Sequence, residues 1–170
     1  MTPQTLTFVR HYSNALPIAD VTGDTLDSTG VYIAGGLRKD QFSPNFNLDA
    51  YVRKTDTNGQ ELWVRQLGGA ANITGIAAAS GGVYIAGQTG WNIDAQAYYS
   101  LPGQTPLGLT DAFIGRYNAN GNELWTRQFG TANYDYIYGA VADSTGVYVV
   151  GNLGVVSPQT FPSGQPFLTK

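Results

Sequence analysis

The feature that most constrains this chain is a stretch that occurs twice: Asp49-Ala-Tyr-Val-Arg-Lys-Thr-Asp-Thr-Asn-Gly-Gln-Glu-Leu-Trp-Val-Arg-Gln66 and Asp111-Ala-Phe-Ile-Gly-Arg-Tyr-Asn-Ala-Asn-Gly-Asn-Glu-Leu-Trp-Thr-Arg-Gln128. The copies lie 62 positions apart and share 9 of 18 residues, which composition alone does not produce. An internal repeat of this period marks an array of one supersecondary unit, so the unit decides the architecture. Within the copies, Asp56-Thr-Asn-Gly59 and Asn118-Ala-Asn-Gly121 each separate two apolar runs. Asn-Gly is a strong hairpin signal because both residues tolerate positive φ, so each copy is expected to be an antiparallel strand pair.

A second element recurs as Ser28-Thr-Gly-Val-Tyr-Ile-Ala-Gly35, Ser80-Gly-Gly-Val-Tyr-Ile-Ala-Gly87 and Ser144-Thr-Gly-Val-Tyr-Val-Val-Gly151, at spacings of 52 and 64. Each reads as a glycine-containing turn and a short strand, apolar at every position as in a strand covered on both faces. Small residues precede it in Gly75-Ile-Ala-Ala-Ala79 and Gly139-Ala-Val-Ala-Asp143, with Gly23-Asp-Thr-Leu-Asp27 in the matching place. They suit the crowded strand nearest an axis. One unit is therefore a small-residue strand, the Val-Tyr-Ile-Ala strand, the Asp-Ala-Tyr/Phe strand and the Leu-Trp strand. Such a meander is a propeller blade, and the expected fold class is all-β, a β-propeller of four-stranded antiparallel blades.

The totals agree with short strands and tight turns: 12% charged residues, with 22 Gly, 8 Pro and 11 Tyr. A net charge of −3 and a pI near 4.8 offer no basic stripe to a phosphate backbone, so nucleic acid is not an expected partner. The absence of cysteine excludes disulfides, thiolate zinc sites and cysteine nucleophiles, and leaves the compartment open. The first residues hold no basic region followed by an apolar run, and nowhere do about 18 apolar residues run together. Neither a signal peptide nor a membrane span is expected.

The two ends match parts of the unit. Leu6-Thr-Phe-Val-Arg-His11 aligns loosely with Leu62-Trp-Val-Arg-Gln66, and Pro166-Phe-Leu-Thr-Lys170 aligns with Ala50-Tyr-Val-Arg-Lys54. Residues 1–170 thus read as a single domain with three blades' worth of strands in permuted order, outer strand first. The repeats run at approximately 14–66, 67–128 and 129–170, the last completed by 5–13. Three blades do not close a ring of the usual four to eight. Either two chains form a six-bladed ring, a homo-oligomer joined through the two terminal strands, or the chain is a piece of a longer propeller.

The Asp-Ala-Phe-Ile-x-Arg-Tyr, Asn-Gly-Asn-Glu-Leu-Trp-Thr-Arg-Gln-Phe-Gly and Ser-Thr-Gly-Val-Tyr-Val-Val-Gly run of residues 111–151 resembles the bacterial seven-bladed β-propeller repeat (SBBP) family. The resemblance covers nearly the whole chain and includes Leu101-Pro-Gly-Gln-Thr105. It implies a propeller and a bacterial secreted or cell-surface setting. It carries no common catalytic residues.

Function is expected in the long connections from second to third strand, because a repeat scaffold supplies rigidity and its loops supply variety. The middle connection holds Trp91, Asn92, Asp94, Tyr98 and Tyr99, and the first holds Phe42 and Phe46. Aromatic platforms beside amide and carboxylate groups suit a sugar ring or a peptide, so a glycan or protein ligand is the expected one. The same aromatics equally serve to fold the long loops onto the scaffold. Trp63 and Trp125, at one repeat position, read as core between blades. His11 stands where Gln66 and Gln128 stand and reads as an ordinary outer-strand residue.

Asp20, Asp24 and Asp27 lie close in sequence, but Asp27 and Asp143 fall at turns, where Asp accepts backbone amides. Asp49 and Asp111 are expected to fix the starts of their strands. No calcium loop, nucleophile elbow, phosphate loop or dinucleotide fingerprint occurs. No metal, cofactor or catalytic residue is therefore expected, and the leading expectation is a non-enzymatic binding scaffold. A lectin-like propeller and a carboxylate-dependent hydrolase or lyase are the alternatives, the latter requiring carboxylates that converge in a concave pocket.

Overall fold

The computed structural model describes residues 18–38, 48–68, 71–92, 97–98, 100–156 and 164–170. They form the strands β1 (Ile18–Asp27), β2 (Gly30–Arg38), β3 (Leu48–Thr55), β4 (Glu61–Leu67), β5 (Asn72–Ala79), β6 (Gly82–Gln88), β7 (Trp91–Asn92), β8 (Ala97–Tyr98), β9 (Ala112–Asn118), β10 (Glu123–Phe129), β11 (Tyr134–Asp143), β12 (Gly146–Val155) and β13 (Gln165–Thr169), with no helix among them. Three antiparallel sheets result, in the orders β1-β2-β3-β4, β5-β6-β9-β10 and β11-β12-β13, beside a small β7-β8 ribbon.

The hairpins follow from their turn residues. Asp56 Oδ1 accepts from the amides of Asn58 and Gln60, and Asn118 Oδ1 accepts from those of Asn120 and Asn122. Gly59 and Gly121 then take left-handed φ of 76° and 77°, which a side chain would resist. Asp27 and Asp143 hold the other turns, accepting from the amides of Thr29 and Thr145 at 2.7 Å each.

The first two strands of the three larger sheets share one register slip, between Val21 and Gly23, Ile73 and Gly75, and Ile137 and Gly139; the first and third sheets also slip between Ile18 and Asp20 and between Tyr134 and Tyr136. The slip sits where first strands approach one another. A Cβ on Gly75 would lie 2.6 Å from the Ala140 nitrogen, and one on Gly23 would lie 3.1 Å from Ile76 Cγ2. Thr74 Oγ1 donates to the Ile137 carbonyl at 2.6 Å, and the Ala78 amide donates to Thr25 Oγ1 at 3.1 Å. Thus β5 packs between β1 and β11, and small residues there are a steric requirement.

Two cores fill the spaces between sheets. Tyr32, Ala34, Val52 and Trp63 of the first sheet meet Ile73, Val83, Ile85 and Phe113 of the second. Tyr84, Ala86 and Ala112 from the opposite face of the second sheet meet Ile137, Val147 and Val149 of the third. Burial on both faces holds throughout β6 but not along β12, where Val150 is exposed. The reason is position: the second sheet is covered on both faces, whereas the third has a covered face and an open one.

Candidate functional site

The β6 to β9 connection carries most of the candidate ligand residues. Its first part is the β7-β8 ribbon, which sets Trp91 opposite Tyr98 and Asn92 opposite Ala97. Only the backbone of Trp91, Asn92 and Tyr98 is described; Asp94, Tyr99, Phe42 and Phe46 lie outside the described residues.

The second part of this connection is fastened by one residue that sequence reasoning passed over. Gln128 Oε1 accepts the Leu101 amide at 2.9 Å, while its Nε2 donates to Asp111 Oδ2 at 2.7 Å and to the Thr105 carbonyl at 3.2 Å. Gln104 answers from the loop, its Oε1 accepting the Gln128 amide at 2.7 Å and its Nε2 reaching the Thr126 carbonyl at 3.1 Å. Leu101 inserts into the core between the first and second sheets. The same Asp and Gln pair in the first sheet, Gln66 Nε2 donating to Asp49 Oδ2 at 2.6 Å. Asp49 and Asp111 therefore do fix strand starts, with glutamine as the partner. The signal was the recurrence of Asp and Gln together at the two ends of the repeated stretch.

Two grooves flank this framework. A cavity of about 370 Å³ runs under the loop between Gln66, Gly68, Pro102, Gln104 and Glu123. A larger groove of about 930 Å³ opens between the second and third sheets at Tyr84, Trp125, Arg127, Phe129, Phe167 and Lys170. Its counterpart between the first and second sheets is sealed. There Trp63 Nε1 donates to the Ala119 carbonyl at 2.9 Å and Arg65 Nε donates to the Gly121 carbonyl at 2.7 Å, so the β9-β10 turn closes over both. Trp63 is 8% exposed and Trp125 is 37% exposed. Expected core at Trp125 is thus only half covered, because no equivalent turn of the third sheet lies over it among the described residues.

A cation stacked on the second-strand tyrosine recurs in all three sheets. Lys54 Nζ lies 4.5 Å from the Tyr32 ring centre, Arg116 Cζ 4.7 Å from that of Tyr84, and Lys170 Nζ 5.2 Å from that of Tyr148. In the first sheet Lys54 also donates to Thr29 Oγ1 at 2.7 Å and to Tyr32 Oη at 2.8 Å, and lies 3.8 Å from Asp27. Burial pushes Asp27 up, but hydrogen bonds from Thr29 and Tyr32, aided by the Lys54 charge, hold it below the usual carboxylate value. Burial and then Asp27 itself push Tyr32 well above an ordinary phenol. The repeat Asp, Thr, Tyr and Lys is complete again at Asp143, Thr145, Tyr148 and Lys170. These contacts brace the β1-β2 and β11-β12 turns.

One pair of carboxylates does converge. Asp111 and Asp135 are 1% and 0% exposed, and a Cβ built on Gly130 would lie 2.1 Å from Asp135 Oδ2 and 3.4 Å from Asp111 Oδ1. Burial pushes Asp135 up; hydrogen bonds from Thr131 and Gly154 oppose that, and the Asp111 charge adds to it. The pair lines neither of the two grooves above. No group of three or more His, Asp or Glu side chains gathers as a metal site among the described residues. No helix there is long and apolar enough to cross a membrane, which leaves strand-built spans unaddressed.

No protein-family model matches the chain. It is similar to a protein named regulatory protein FlaEY of Caulobacter vibrioides, 30% identical over 106 residues. That match takes in 61% of this chain and 11% of the relative, so the likeness concerns about a tenth of a much longer protein.

Proposed function

We propose that this chain is a non-enzymatic β-propeller scaffold for binding, whose ring is completed by a second copy to give six blades. The carrying observation is one pair of repeat positions. Ala34 opposite Val52 in the first sheet is fully buried beneath the second sheet. The equivalent pair in the third sheet, Val150 opposite Leu168, is 44% and 70% exposed. Apolar side chains at a position built for covering leave an unpartnered face that another sheet of this kind fits. The crowded side-by-side packing of β1, β5 and β11 supports a radial arrangement about an axis.

In this reading β13, the third strand of its sheet, takes as its fourth the segment Leu6-Thr-Phe-Val-Arg-His11 of the second copy; residues 6–11 lie outside the described residues. The ligand residues in this reading are Trp91, Asn92 and Tyr98 of the β7-β8 ribbon together with Asp94, Tyr99, Phe42 and Phe46, which lie outside the described residues, and the ligand is a glycan or a protein. A regulatory role through protein contacts is the version that the name of the Caulobacter protein supports. Sedimentation and light scattering test the ring: a dimer is expected, and Leu168→Asp should convert it to monomer. A stable monodisperse wild-type monomer would sink the two-copy ring. A second reading, favoured by the small share of the relative that is matched, places the neighbouring sheets in one longer chain.

A further inference from the structure

We propose that Asp135 and Asp111 share one proton across the boundary of the second and third sheets, forming a pH-sensitive latch between them. The argument is a count of donors. Asp135 Oδ2 accepts the Thr131 amide at 2.6 Å, and its Oδ1 accepts the Gly154 amide at 2.8 Å and Thr131 Oγ1 at 3.1 Å. Asp111 Oδ2 accepts the Leu107 amide at 2.8 Å and Gln128 Nε2 at 2.7 Å. Asp111 Oδ1 is buried and accepts nothing. It and Asp135 Oδ2 border the same space beside Gly130, where a Cβ would lie 3.4 Å from the first and 2.1 Å from the second. A single proton held in that space satisfies the orphaned oxygen and removes one of two buried negative charges.

A metal ion fits the same gap poorly. Calcium takes about six to eight oxygens, whereas here N–H groups already point at three of the four carboxylate oxygens and repel a cation. The surrounding side chains are neutral: Gln128 from β10, Thr131 from the β10-β11 connection, and Thr89 and Thr110, which accept the Asp111 and Asp135 amides at 2.9 and 3.3 Å. The remaining neighbours, Gly154 of β12 and Leu107 of the loop, present backbone amides. Neither carboxylate is paired with a lysine, arginine or histidine among the described residues. Asp135 comes from β11 and Asp111 from the start of β9, so the shared proton ties the loop of residues 100–110, through Leu107 and Asp111, to the third sheet. The matching place between the first and second sheets holds Ala71, fully buried. The latch belongs to one boundary only.

Asp135, whose carboxyl burial pushes up, binds its proton more tightly when folded, which makes stability greatest at low pH and lets it fall as pH rises from the ordinary value of 3.8 through the native one. Melting temperature from about pH 4 to pH 8 should therefore drop by at least about 3 °C. Two isosteric substitutions should then act in opposite directions. In Asp111→Asn the amide NH₂ replaces the shared proton while its oxygen keeps Leu107 and Gln128, so melting should rise by about 3 °C at the high end and the slope should flatten. In Asp135→Asn the NH₂ opposes an N–H in either orientation, that of Thr131 or that of Gly154, so melting should fall at every pH. Equal gains from both variants would mean simple charge relief and overturn the latch. A melting point raised by calcium and lowered by a chelator would overturn it in favour of a cation. Should the variants fail to fold, carboxyl carbon NMR of the native protein decides: one shared, elevated titration is expected, and two ordinary ones would refute it.

Discussion

The two boundaries between sheets are built from the same repeat and finished differently. Between the first and second sheets, Trp63 packs tilted against Tyr32, ring centres 6.0 Å apart, and is capped by the carbonyl of Ala119. Between the second and third, Trp125 packs against Tyr84 at 6.1 Å with nearly the same tilt and remains partly open. The ring contact is therefore a property of the repeat, and the seal is a property of the neighbour that closes over it. What buries a residue here is the next hairpin along, so an identical sequence can be core in one place and surface in another.

That contrast can be broken most directly at the tryptophans. Trp63→Ala should cost about 3–5 kcal/mol in chemical denaturation, whereas Trp125→Ala should cost about 1 kcal/mol in a monomer. Equal losses at low protein concentration would show that exposure does not separate the two sites. Next in size is the cap itself: a Cβ on Gly121 would lie 2.6 Å from Trp63 Cδ2 at a φ of 77°. Gly121→Ala should lose about 2 kcal/mol and redden the Trp63 fluorescence, while Gly81→Ala, at φ 78° with open space, should lose only the backbone share.

The cation and tyrosine stacks sharpen the comparison further. Lys54 is buried and Lys170 is exposed, so Lys54→Met should destabilise by about 1–2 kcal/mol and Lys170→Met by less than about 0.5 kcal/mol. The smallest effect is acid dependence at Asp27. Its value is lowered in the fold, so its contribution is present above 3.8 and fades as pH falls below that. Asp27→Asn should flatten the acid limb slightly, a change opposite in sign to that expected of Asp135; an unaltered acid limb would remove Asp27 from the account.

The strands and their partners were legible in the sequence because repeat spacing, hairpin residues and small-residue positions each carry a local steric demand. The alignment of Pro166 with Ala50 is an example: β13 pairs with β12 so that Phe167 faces Gly151, as Tyr51 faces Gly35. Other features depended on contacts distant in sequence. Gln128 looked like one more repeated outer-strand residue, yet it fastens a loop about 25 residues earlier, and only the paired recurrence of Asp49 with Gln66 hinted at it. Asp135 was illegible because the repeat matches it to Ala71, and a residue that breaks a pattern does not announce what it meets. The ligand residues were legible as chemistry and not as geometry, since aromatics in a long connection serve either adhesion or a lid.

The likeness of the two hairpins built from Asp49 to Gln66 and Asp111 to Gln128, with half of their residues in common, also bears on how the chain finds its native pairing. A hairpin repeated within one chain is open to pairing with the second strand of the wrong unit, the misassembly characteristic of repeat proteins. The unlike parts resolve that ambiguity. Leu101 and Gln104 are fastened to the hairpin that ends in Gln128, and Asp135 lies beside Asp111 at Gly130. Residues that depart from the repeat thus act as its postal code, and their loss should show first as misfolded, exchanged chains.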